Sequence, residues 1–198
     1  MFEAPADAWF VWVGVALVSV AVAGVALELP STPPPDANAA ANAIDRAAGN
    51  PYDATVTYEH DADAVRIDAK RISLRDDGDT AHASVAYGSV VPVTGHDRLE
   101  NVTDGTSLRA EFDGPFAVVD FVNALEDAHE DNAGEWHPST GRLTVRTISW
   151  DAGWQWRALR LFFGWVDGDS SRDALSNRYS WIEYDRTTEQ YHVTLVVA

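Results

Sequence analysis

A chain of 198 residues with 31 Asp and Glu against 14 Lys and Arg carries a formal net charge of −17. That balance argues against nucleic acid as a ligand, because phosphate binding needs a cationic surface. The absence of cysteine excludes a disulfide framework, thiolate zinc sites and a cysteine nucleophile.

Acid excess on this scale destabilises a compact fold by self-repulsion unless molar salt, with a Debye length of about 3 Å, screens it. The acids are scattered from Glu3 to Glu189, which points to a protein suited to concentrated salt and not to one tuned to a single cationic partner. Residues 1–8 form a tail with Glu3 and Asp7 and no basic residue, unlike the start of a cleavable secretory signal. Trp9 to Leu27 then run without a charge or a proline. A helix over that run is about 28 Å long, close to the thickness of a bilayer core. Residues 9–29 are therefore expected to be a single-pass transmembrane anchor with membrane lipid as its first partner. Trp9, Phe10 and Trp12 would sit at one interface and Pro30 would end the helix at the other. Ala16, Ser19, Ala23 and Ala26 fall on one helical stripe, and small residues in register allow close approach of a second helix. This face is the expected site of self-association or of protein partners.

Residues 30–36, PSTPPPD, read as a stiff extended spacer, and residues 37–198 as one domain. Asp36 is the expected N-cap of an alanine-rich helix through Ala48, stopped by Gly49 and Pro51, with Ile44 on its buried side. Period-two patterns follow at Ala54/Val56/Tyr58, Val65/Ile67/Ala69, Ile72/Leu74 and Ala81/Ala83/Val85/Tyr87. Asp76-Asp77-Gly78-Asp79 supplies a hairpin turn between the last two. Pro92 demotes Val90 to Val93 to an edge or a strand end. Leu108, Ala110 and Phe112 predict another strand, and Phe116 to Asp131 a second helix with Phe121, Val122, Leu125 and Ala128 on one face. Strands are then expected over Leu143 to Trp150, Trp154 to Val166, Tyr179 to Tyr184 and Tyr191 to Val197, the last two joined through Asp185 to Glu189. The fold class is thus α+β: an N-terminal transmembrane helix, then a mostly antiparallel β-rich domain with two helices.

Chemistry is sparse. The six histidines lack metal-ligand spacing, and Glu126, His129 and Glu130, with Glu135 and His137 beyond, read as a solvated helix end. Asp167, Asp169 and Asp173 resemble the opening of a calcium loop, but Arg172 stands where the turn glycine belongs and the closing glutamate is missing. With no phosphate loop, nucleophile elbow or zinc-protease helix present, no catalytic residue, cofactor or metal is assigned. Trp154 and Trp156 with Arg157 and Arg160 form a possible ligand platform for sugar rings if exposed, and part of the core if buried. Asn101-Val102-Thr103 is an N-glycosylation sequon in an expected polar loop.

The opening MFEAPADAWFVWVGVALVSVAVAGVAL, the PSTPPPDA spacer and the central ISLRDDGDTAHASVAYGSVVPV resemble a haloarchaeal family of single-pass membrane proteins. The resemblance covers the full chain and implies association with machinery of the type IV pilus and type II secretion kind. An apolar N-terminal helix leading into a β-rich external head is similar to pilins and pseudopilins, although the basic leader of processed pilins is absent. The expectation is a non-enzymatic envelope protein at the cell membrane with its soluble domain extracellular. The alternatives are a surface glycan-binding module and, with less to support it, an anchored hydrolase.

Overall fold

The computed structural model describes residues 6–28, 35–50, 52–87, 90–151 and 174–198. The chain divides into two compact units, Met1–Pro33 and Pro34–Ala198. The first holds helix α1 (Ala6–Glu28). Its side chains are described from Trp9 to Ala23, and all of them are exposed. Among the described residues no helix is long and apolar enough to cross a membrane; the described side chains stop at Ala23, whereas the uncharged run continues to Leu27. The fold by itself therefore does not establish the transmembrane role expected of residues 9–29.

The second unit is α+β and mostly antiparallel. It opens with α2 (Ala37–Ala48), where the Asp36 carboxylate accepts from Ala39 N–H at 2.9 Å. That bond satisfies one of the free donors at the helix start. Ala37, Ala40, Ala41, Ala43, Ile44 and Ala47 make its buried face, as the spacing predicts.

Sheet A has the strand order β1 (Ala54–Glu59), β7 (Arg142–Asp151), β9 (Gln190–Val197) and β5 (Val90–Pro92), with β8 (Glu183–Asp185) also paired to β9. Its pairings are antiparallel except β5 with β9. Pro92 lies on this edge strand, where its missing N–H costs no ladder bond. Sheet B is antiparallel throughout: β4 (Asp79–Ser84), β3 (Arg71–Asp76), β2 (Ala64–Asp68) and β6 (Trp136–Pro138). The β3–β4 hairpin turns at Asp77 (φ 46) and Gly78 (φ 92), positive at both positions as a two-residue hairpin of this twist requires. The β8–β9 hairpin turns where expected, with Thr187 N–H bonded to the Asp185 carboxylate at 2.7 Å.

Alternation gives the two faces of sheet A different work. Leu143, Val145 and Val196 join α2 and the inner residues of sheet B, Val65, Ile67, Ile72 and Leu74, in one buried cluster. Ile148, Trp150, Tyr191, Val193 and Leu195 join Phe112 and the apolar face of α5 (Ala117–Asn132) in another.

Three expectations are corrected. Leu108, Ala110 and Phe112 do not form a strand: Leu108–Glu111 is a single helical turn, α4. Arg98 donates from Nε and Nη2 to the Glu111 carbonyl and lies over the Phe112 ring at 3.9 Å, closing the chain into a turn there. The expected strand over Tyr179 to Tyr184 is reduced to β8, with α6 (Ala174–Arg178) before it. With α3 (Asp97–Thr103), the second unit holds five helices among the described residues where two were expected. The strand expected over Trp154 to Val166 lies outside the described residues.

Candidate functional site

The outer face of sheet B gathers charge of the sign this protein has least of. Period-two geometry turns Val65, Ile67, Ile72 and Leu74 inward and leaves Arg66 and Asp68 of β2, and Arg71, Ser73 and Arg75 of β3, on the other face. Register sets Arg66 opposite Ser73 on one side and opposite Trp136 on the other. The Arg66 and Arg75 guanidinium carbons lie 4.9 and 4.4 Å from the centre of the Trp136 ring. Both are within cation–π range of a single indole. The small residues Ser73 and Ala64 on the same face are 1% and 7% exposed. Of the 14 basic residues, Arg66, Lys70, Arg71 and Arg75 fall within ten positions of sequence. No described carboxylate is ion-paired with any of the four. Their N–H donors remain available to an anion.

The same sheet ends in the opposite charge. Asp63, Asp76 and Asp77 bring carboxylate oxygens within 4.8 Å of one another at the β3–β4 turn, with Asp61 and Asp79 close by. Partial burial, then repulsion from Asp63, Asp77, Asp61 and Asp79, lifts the Asp76 carboxyl above its ordinary range. A divalent cation fits such a set chemically, but exposed acids gather readily in a protein with 21 aspartates.

Three serine–histidine couples invite a hydrolase reading and do not sustain it. His60 Nδ1 accepts from Ala62 N–H at 3.2 Å, so its proton is on Nε2, which donates to Ser139 Oγ at 3.3 Å. A nucleophile needs that bond reversed, with the imidazole accepting. Ser73 Oγ, 2.8 Å from His82 Nδ1, is buried in the sheet. Ser149 Oγ is 3.0 Å from His192 Nδ1, and among the described residues no carboxylate is hydrogen-bonded to His192 to orient it as a base. These couples pin neighbouring strands and loops together.

Ala16, Ser19 and Ala23 are exposed on α1, and Ala26 is helical there. Trp154, Trp156, Arg157 and Arg160, like Asp167, Asp169 and Asp173, lie outside the described residues. Asn101 is exposed but belongs to helix α3, not to a loop. Thr103 of its sequon is buried, with its hydroxyl donating to Leu99 O at 2.8 Å. Glu126 accepts from Tyr179 OH at 3.0 Å, and among the described residues it joins no set of three converging metal-ligand side chains with His129. The arginine–tryptophan face was hidden from sequence reasoning because Arg66 and Trp136 meet only through strand register. The clustering of scarce cations over residues 66–75 was the available signal.

Comparison with curated proteins and with solved structures gives no match. A family model described as "Family of unknown function (DUF7283)" matches residues 3–148, which is 146 of the 198 residues. The matched stretch takes in α1, all of sheet B and most of β7. By that extent, the chain belongs to the family of unknown function DUF7283.

Proposed function

We propose that this chain is a non-enzymatic, membrane-anchored envelope protein whose α+β unit is an interaction domain, a pilin-like or pilus- and secretion-associated subunit of a cell living in concentrated salt. The observation that carries the reading is α1. Its 23 residues make a helix about 34 Å long, and every described side chain from Trp9 to Ala23 is exposed. Trp9, Phe10, Trp12, Leu17 and Val20 each stand more than 60% exposed. An apolar surface of that kind is stable in lipid or under another helix, and costly in water. The sequence extends the uncharged run to Leu27, giving the length a bilayer core needs. Small residues at Ala16, Ser19, Ala23 and Ala26 suit close helix association within that layer.

In this reading the domain stands on the outer side of the membrane behind the proline-rich spacer, with the acidic surface keeping it soluble at molar salt. The serine–histidine wiring supports a binding role over hydrolysis. Fractionation tests the anchor. The full chain should stay with membranes through washes in molar salt and at alkaline pH and be released by detergent. Recovery of the intact protein in the aqueous phase without detergent would overturn the anchored reading.

A further inference from the structure

The interaction surface and its partner follow from sheet B. We infer that the outer face around Arg66, Arg71, Arg75 and Trp136 docks an extended acidic protein segment that carries carboxylates at every second residue. This deepens the reading of the domain as an interaction module and rests on it.

Spacing selects the partner. Arg71 and Arg75 stand four residues apart on β3, and Arg66 lies opposite the residue midway between them, Ser73. Alternate residues of a strand are about 7 Å apart. The three arginine positions therefore advance along the strand direction in steps of about 7 Å, switching between neighbouring strands. An extended peptide with acids at alternate positions presents carboxylates on one side at the same step.

Charge alone is insufficient in the setting proposed here. At molar salt, attraction is screened beyond about 3 Å, so what survives is direct contact between guanidinium forks and carboxylates in matching positions. Trp136 supplies the preorganisation. Holding two guanidiniums against one ring removes rotamer freedom before the partner arrives. With 31 acids against 14 basic residues in the chain, few other places offer such a segment cations within contact distance, so direct pairing favours this face.

The test uses the full chain in detergent micelles at molar salt and a fluorescein-labelled peptide of alternating Asp and Ala, with binding followed by anisotropy. The control peptide has the same composition with its Asp residues contiguous. The alternating peptide should bind several-fold tighter. Arg66→Gln and Arg75→Gln should each weaken it on the order of tenfold. Arg46→Gln, which removes the same charge from α2, should leave binding unchanged. Trp136→Leu should weaken binding with no change in charge, which identifies Trp136 as a positioning residue. In the unaltered protein, the alternating peptide should protect Arg66 and Arg75 from phenylglyoxal.

Equal affinity for the two peptides, no binding, indifference to the arginine variants, or absence of protection would each overturn the proposal. Tighter binding of polyphosphate or a polyuronate than of the alternating peptide would overturn the choice of a protein segment. A chain that remains in the membrane fraction yet ignores the peptide fails this inference while leaving the anchor intact.

Discussion

The two sides of sheet A reach full burial by opposite means. Toward α2 the sheet presents Leu143, Val145 and Val196 to a helix whose buried face is alanine with a single Ile44. Small side chains let the helix backbone approach closely, so the contact is won by proximity. Toward α5 the sheet presents Trp150 and Tyr191, and the space is filled by rings. Phe121 meets Phe112 at 5.2 Å and Trp150 at 5.4 Å, both edge to face, and Trp150 stacks on Tyr191 at 5.6 Å. Such pairs add directional preference to area burial. The lesson is that one sheet tolerates two packing regimes, each with its own way to fail: cavities on the aromatic side and overfilling on the alanine side.

Phe121→Ala attacks the aromatic side at its centre. Phe121 is fully buried, and the cavity should cost about 3–5 kcal/mol, read as a large fall in the unfolding midpoint. Ala40→Leu attacks the other side by adding volume where none is free, since Ala40 is also fully buried. It should cost about 1–3 kcal/mol. If the leucine were accommodated without loss, the close-approach account of α2 would be wrong.

A smaller effect separates the loop supports from both cores. Burial holds the His60 imidazole below its ordinary 6.5, with Asp61 pulling the other way. The folded state therefore resists protonation that the unfolded chain accepts. The contribution is complete above pH 6.5 and is lost as pH falls toward the folded value, at no more than about 1.4 kcal/mol per pH unit. His60→Gln should flatten that part of the profile in denaturant titrations between neutral and mildly acidic pH. An unchanged slope would remove His60 as its source.

Local chemistry was readable where it decides structure locally. Asp36 and Gly49 bound α2, Asp77-Gly78 turns the β3–β4 hairpin, and Asp185 turns the β8–β9 hairpin, each within a few residues of its partner. Reading failed where a distant group decides. The alternation of Leu108, Ala110 and Phe112 fits a strand as well as one helical turn, and the arbiter is Arg98, bonded to Glu111 thirteen residues on. The sequon at Asn101 looked like a loop because nothing nearby reveals that Val102 and Thr103 are buried. The arginine–tryptophan face needed the pairing of β2 with β6, which tertiary packing sets between distant segments; only the cation cluster over residues 66–75 was local.

The strand order also governs when each part of the molecule becomes a structure. β9 is the central partner of sheet A, bonded to β7, β5 and β8, yet it emerges from the ribosome after all of them. Sheet B is complete once Pro138 has been synthesised, and its main pairings join strands separated by short turns. Nearby pairings close faster than remote ones. The nascent chain therefore holds every strand of the arginine-bearing sheet while the other still waits, edges open, for its keystone.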